Sequence, residues 1–227
     1  MRGARPSRRD AISGFGCTAM QKKEDGSVNP VRLILASSSP RRIEMLRASG
    51  LDPIVIPPNV SEALPEGIAP KDAVLFLALK KALAAEKIAA GMGYAQGEVI
   101  VAADTVVYHE GIIGKPADEA EAFAILKQLC GKSHEVMTGV AILQAGSFER
   151  EVFCETTRVF FKAYADEEIL AYVQTPEPYD KAGGYAIQGA WGKYVERIEG
   201  DYSNVMGFPW KRIQERLRRA PSSTARY

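Results

Sequence analysis

The run Val99-Ile-Val-Ala-Ala-Asp-Thr-Val-Val-Tyr108 constrains the fold more than any other stretch. It is nearly all apolar, the character of a central strand covered on both faces. Asp104 and Thr105 interrupt it in the middle. A carboxylate inside such a run is costly unless it is paired, hydrogen-bonded or bound to a metal. Two readings follow. Asp104 is a catalytic or metal-binding carboxylate on an active-site strand, or it is an acid that marks a strand end or bulge. The first is favoured, because titratable groups held in apolar settings collect at functional sites.

A second stretch, Leu33-Ile-Leu-Ala-Ser-Ser-Ser-Pro-Arg-Arg42, reads as a strand that turns into a helix. Ser39 suits the N-cap, and Pro40 suits the first helical position, where a missing N–H costs nothing. Helical periodicity continues through Ile43, Met45 and Leu46, and Gly50 suits the stop. The three serines and two arginines thus gather where a helix offers free N–H groups and a partial positive charge. That set suits a phosphate chain. An ordinary capped surface helix with solvated arginines fits the stretch equally well.

Lys and Arg number 29 against 28 Asp and Glu, so bulk charge does not imply nucleic-acid binding. Cys17, Cys130 and Cys154 have no zinc-type spacing and are expected to be free thiols in a reducing compartment. The two histidines, His109 and His134, exclude a histidine-rich metal site. No apolar run is long enough to span a membrane. Residues 1–30 are basic, then polar with Gly and Pro, and lack the apolar segment of a secretory signal. They are expected to be a disordered extension, with a start at Met20 as an alternative. Residues 31–219 are expected to form a single domain and 220–227 a tail.

Pro53–Pro57 is expected as a short strand, followed by a loop that carries Glu62. Pro70–Ala90 is expected as a helix whose apolar face is Leu75, Leu79 and Leu83 with Phe76 and Ile88. Lys80 and Lys81 interrupt that helix and read by themselves as a solvated edge. Lys115, between Gly114 and Pro116, has a stiff, exposed backbone that could present it to an anion. Asp118–Leu129 is expected as an amphipathic helix, and Ser133–Leu143 and Val152–Tyr164 as strands paired through a turn near Gly146. His134 reads as structural. Asp166–Val173 is expected as a helix, Trp191–Ile198 as a strand, and a last helix is expected to run to about Arg219. The Gly-rich segment Asp180-Lys-Ala-Gly-Gly-Tyr-Ala-Ile-Gln-Gly189 frees the backbone to approach a ligand, though any tight loop could use it.

In order, Ala36-Ser-Ser-Ser-Pro-Arg-Arg42, Ala103-Asp-Thr-Val-Val107, Gly114-Lys-Pro116, Ser133-His-x-Val136 with Thr138, Asp180 to Gly189, and Gly200-Asp-Tyr-Ser-Asn-Val-x-Gly-Phe-Pro209 resemble the Maf family of nucleoside triphosphate pyrophosphatases. The resemblance covers about residues 31–215. It implies an α/β fold with a long twisted mixed sheet, flanking helices and two lobes around a central cleft. It also implies a cytoplasmic house-cleaning enzyme that splits the α–β phosphate bond of a nucleoside triphosphate with a divalent metal, Mg²⁺ or Mn²⁺. The partner is a small-molecule nucleotide, with no nucleic acid and no membrane, and a homodimer is expected.

Carried over by residue, Asp104 matches the proton acceptor, and Arg41, Thr105 and Gln188 match substrate-specificity positions. Ser37, Arg42, Lys81 and Lys115 match phosphate-binding positions, and Asp180 another cleft position. Glu62 and Asp104 are the candidate metal carboxylates. Asp180 is expected to position Lys181 or a second water. Asp-Thr-Val-Val with the Gly-Tyr-x-Ile-Gln-Gly turn resembles the dTTP/UTP branch. Gln188 carries an amide donor and an acceptor, which can pair with a uracil or thymine edge. Two positions depart from the pattern. Ser61 stands where an acid is frequent, and Trp191 is bulky enough that it is expected to narrow the cleft mouth.

Overall fold

The computed structural model describes residues 20–22, 28–30, 32–94 and 97–219. The chain divides into two units, residues 1–31 and 32–227. In the first, strands β1 (Met20–Lys22) and β2 (Val28–Pro30) pair antiparallel. The rest of the expected extension, Cys17 and the tail 220–227 lie outside the described residues.

The second unit is built on a seven-stranded mixed sheet. Strand β5 (Val99–Tyr108) is central, as its composition requires. β3 (Leu33–Leu35) runs parallel to it on one edge and β4 (Ile54–Val55) parallel to β3. On the other edge the long hairpin β7 (Ser133–Gln144) and β8 (Arg150–Phe161) continues antiparallel, then β9 (Val195–Glu199). The two-residue β6 (Ile112–Ile113) folds back on the end of β5.

The period-two alternation of β5 distributes its side chains. Ile100 and Ala102 enter a core under helix α2 (Pro70–Gly91), while Val99, Val101 and Ala103 enter one under α1 (Pro40–Ala48) and α5 (Trp210–Arg219). Past the middle, Val107 joins a third, aromatic core that includes α3 (Glu119–Leu129) and α4 (Asp166–Val173). The long strands therefore join two lobes, and Asp104-Thr105 falls between them. Continuing the alternation, Asp104 faces α2 and Thr105 faces α1.

One edge of β5 is covered along its whole length by β7. On the other edge, β3 covers Val99–Val101 and β6 covers Val107–Tyr108. Among the described residues no strand pairs with Ala102–Val106 there. That gap in the sheet is where the cleft lies.

Three expectations are corrected. The face of α2 that meets the sheet is Ala73, Val74, Leu77, Ala78, Ala82, Ala85 and Ala89, whereas Phe76, Leu83 and Ile88 are 44%, 38% and 42% exposed. The reason lies on β7, where a Cβ on Gly139 would sit 2.3 Å from the Val74 carbonyl. The helix lies so close to the sheet there that alanines make up most of its inner face. Second, Ser39 takes the N-cap position with no hydroxyl cap, and its own N–H donates to Ser37 Oγ at 3.2 Å. Third, residues Ala190–Tyr194 form a 3₁₀ turn before β9 begins. Trp191 is 1% exposed, packed among Tyr164, Tyr172 and Tyr194 at ring distances of 4.9, 4.6 and 4.5 Å. It fills the aromatic core and does not narrow the cleft mouth.

Candidate active site

The cleft has a volume of about 620 Å³. Nine of the ten expected site residues line it: Ser37, Arg41, Arg42, Glu62, Lys81, Asp104, Thr105, Lys115 and Asp180. Gln188 does not, and its side chain is exposed.

Asp104 is 8% exposed and reaches toward α2, as the alternation dictates. Its Oδ1 lies 2.6 Å from Lys81 Nζ, and Lys81 Nζ lies 2.6 Å from Glu62 Oε1. One ammonium thus bridges two carboxylates from different segments. The hydrogen bond from Lys81 holds the Glu62 carboxyl below its usual range. The solvated-edge reading fails for Lys81, whose side chain is 16% exposed. Lys80, one residue before it, donates to the Ser61 carbonyl at 2.7 Å and ties the Glu62 loop to α2.

On the opposite face, Arg42 is bonded within the protein. Its Nε donates to the Gly207 carbonyl at 2.9 Å. Its Nη1 donates to the Ala103 carbonyl at 2.7 Å and Ser37 Oγ at 3.1 Å, and its Nη2 to Thr105 Oγ1 at 3.3 Å. Four of its five N–H donors are spent in this way. Burial lowers its pKa to about 10, which leaves it cationic at neutral pH. Arg42 fills the gap beside β5 where a strand would otherwise supply donors. Arg42, expected at a phosphate-binding position, braces the cleft with four donors and still lines it. Arg41 and Lys115 also line the cleft, and neither forms an ion pair among the described residues. They are the cations free to meet an anion.

Thr105 Oγ1 also bonds Thr138 Oγ1 at 3.0 Å, directly opposite on β7. Behind this pair stands Asn204, fully buried. Its Nδ2 donates to the Val136 carbonyl at 3.0 Å and to Thr157 Oγ1 at 3.1 Å. Its backbone carbonyl accepts the Gly207 N–H at 2.8 Å, closing the turn that Arg42 grips. Thr157 escaped the sequence reading, and Asn204 entered it only as part of the Gly200–Pro209 motif. Both have polar sequence neighbours, and only the fold shows them to be buried.

The far wall comes from Asp180, Lys181, Ala182 and Tyr185. Lys181 pairs with Asp180 and donates to the Glu177 carbonyl at 2.8 Å. Burial raises the Asp180 pKa, but its bond with Lys181 and the Lys181 charge outweigh this and leave it below the usual range. The Asp180–Lys181 pairing is thus seen directly. Tyr185 hydroxyl meets His134 Nε2 at 2.7 Å, which makes His134 structural, and burial lowers its pKa to about 3.

Among the described residues no group of three or more His, Cys, Asp or Glu could hold a metal alone. The two carboxylates Glu62 and Asp104 fit Mg²⁺ or Mn²⁺ nonetheless. Such ions are held by one or two carboxylates with substrate phosphates and water completing the shell. No helix of the described residues is long and apolar enough to cross a membrane. Cys130 and Cys154 are free and half-buried.

The Maf family model, described as Maf-like protein, matches residues 32–220. The chain is 47% identical over 186 residues to a dTTP/UTP pyrophosphatase of Desulfitobacterium hafniense, covering 82% of this chain and 83% of that protein. It is 42% identical over 190 residues to a dTTP/UTP pyrophosphatase of Caldicellulosiruptor saccharolyticus, covering 83% and 94%. Against the one from Exiguobacterium sibiricum it is 45% identical over 186 residues, covering 82% and 90%. Among solved structures, a HAM1 protein from Coxiella burnetii aligns with a TM-score of 0.48 at 14% identity, covering 84% of this chain and 100% of that one.

Proposed function

Because this chain belongs to the Maf family, we propose that its cleft hydrolyses dTTP and UTP to the nucleoside monophosphate and pyrophosphate. The same reading extends to modified pyrimidine triphosphates. The observation that carries it is the Asp104 carboxylate, set on the bare stretch of β5, 2.6 Å from Lys81 and within a cleft lined by Arg41 and Lys115.

Asp104 accepts the proton of the water that attacks the α phosphorus. Arg41 and Lys115 neutralise the triphosphate and the leaving pyrophosphate. Ser37 accepts from Arg42 and the Ser39 N–H, which leaves its hydroxyl proton for a phosphate oxygen. Lys81 sets the charge between Glu62 and Asp104, and Arg42 holds the floor in place. A divalent metal held by Glu62 and Asp104 would supply charge neutralisation at the phosphates. Arg41 and Gln188 stand as specificity positions. Thr105, whose hydroxyl is bonded to Thr138 and Arg42, acts on the substrate through the groups it holds. Uracil and thymine differ by one methyl, worth about 1–3 kcal/mol in a pocket, so one site takes both. A cytoplasmic homodimer is the assembly the family resemblance supports, and sedimentation equilibrium tests the dimer.

The test is pyrophosphate release from dTTP, UTP, CTP, GTP and 7-methyl-GTP with Mg²⁺ or Mn²⁺. Release from dTTP and UTP, abolished in Asp104→Asn, is the expected result. Selective release from 7-methyl-GTP would overturn the pyrimidine assignment, and nucleotide binding without release would overturn the enzymatic one.

A further inference from the structure

The turn Ala186-Ile-Gln-Gly-Ala190 is gripped at both ends by the segment that precedes the cleft wall. At its start, the Ala186 N–H donates to Tyr172 Oη at 3.3 Å. At its end, the Ala190 N–H donates to Glu177 Oε2 at 3.2 Å. Between them, the Glu177 carboxylate packs against bare backbone at Gly189. A Cβ there would fall 1.3 Å from Glu177 Oε1. Burial and the neighbouring Glu177 charge raise the Tyr172 pKa, so the hydroxyl stays protonated. The Glu177 backbone carbonyl also accepts Lys181 Nζ at 2.8 Å, so the same residue touches the cleft wall. Gln188 itself is exposed, with no side-chain hydrogen bond among the described residues. Nothing on its own side chain fixes where it points, and its position is inherited from the two clamped ends.

We propose that Glu177 is a positioning residue for base selectivity, which sets the Gln188 turn by clasping Ala190 and Gly189 against Tyr172. This deepens the reading that Gln188 reads the base, and rests on it. Glu177 lies outside the cleft lining and takes no part in proton transfer. Its removal therefore acts on KM and selectivity, with little effect on kcat.

The experiment compares kcat and KM for UTP and CTP in the full chain and in five variants: Gln188→Ala, Glu177→Ala, Glu177→Gln, Gly189→Ala and the Gln188→Ala, Glu177→Ala double variant. In Glu177→Ala, the UTP-to-CTP ratio of kcat/KM is expected to fall roughly tenfold, the size of one lost hydrogen bond. Most of that fall should appear in KM for UTP. Glu177→Gln keeps an acceptor and should restore most of the ratio. Gly189→Ala keeps every clasp group but drives a methyl into the carboxylate, and should reproduce the loss. The Gln188→Ala, Glu177→Ala double variant should lose no more than Gln188→Ala alone. An unchanged ratio in Glu177→Ala and Gly189→Ala, with the ratio lowered in Gln188→Ala, overturns the clasp alone. An unchanged ratio in Gln188→Ala overturns base reading and the clasp together. If the wild-type chain releases no pyrophosphate, calorimetric affinities for UTP and CTP in the same variants give the same ratio. The activity and the clasp thus fail separately.

Discussion

At the floor of the cleft, Arg42, Lys81 and Asp104 sit on α1, α2 and β5, and each is tied to at least one other element by side-chain bonds. In the wall segment, residues 177–194, Asp180 to Ala182 and Tyr185 line the cleft and Gln188 stands outside it, and its 3₁₀ turns are held by a few side-chain clasps. Regular structure places Asp104 and Lys81, the groups proposed for the chemistry, and tethered loops place Gln188, the group proposed to tell one base from another. The two can therefore vary apart. A floor defect should cost turnover or stability, and a wall defect should cost selectivity.

The sharpest attempt to break this division is Asp104→Asn. It should lower kcat about 10²–10⁴-fold with nucleotide affinity within a few fold, measured by steady-state kinetics and calorimetry. Near-normal turnover would remove Asp104 from the chemistry. Next is Arg42→Met, which strands the Ala103 carbonyl and leaves the Gly207 carbonyl only the 3.5 Å bond from Thr105 Oγ1. At about 1–3 kcal/mol for each unpaired buried group, urea unfolding should show a loss of about 2–5 kcal/mol. A loss below about 1 kcal/mol would show that the brace is dispensable.

The joint between floor and wall is His134 with Tyr185. Its folded pKa of about 3 lies below the unfolded value of 6.5, so the unfolded chain binds more protons between them. Stability is fully present above about pH 6.5 and falls as pH drops toward 3, by up to about 1.4 kcal/mol per pH unit. His134→Gln, which keeps a partner for Tyr185, should flatten the fall between pH 7 and 5. Equal slopes in both proteins would sink the assignment. The smallest effect is expected of Thr105→Val, about 1 kcal/mol from lost hydrogen bonds, with the UTP-to-CTP ratio unmoved. A shifted ratio would place Thr105 with the wall.

The floor was legible in sequence because its rules are local. Pro40 marks a helix start, and an acid in an apolar strand marks a site. The period of β5 then decides which way Asp104 and Thr105 face. The α2 face was misread because Phe76, Leu83 and Ile88 outweigh alanine in any apolar count. The deciding residue, Gly139, lies on another strand. Trp191 was misplaced for a similar reason: its partners Tyr164 and Tyr172 come from distant segments. Arg42 was visible as a cation, but whether its donors face a ligand or the Ala103 and Gly207 carbonyls depends on a sheet gap that no local pattern encodes.

The alanine face of α2 has a mechanical consequence. A helix resting on long side chains inherits the play of their rotamers. This one rests mostly on alanine methyls, beside Val74 and Leu77, and at Gly139 on bare backbone, where there is little left to compress. The sheet acts as a datum surface for the helix, and Lys81 is carried at a fixed height above it. What keeps one ammonium within reach of two carboxylates is, at bottom, the stiffness of a spacer with no side chain in it.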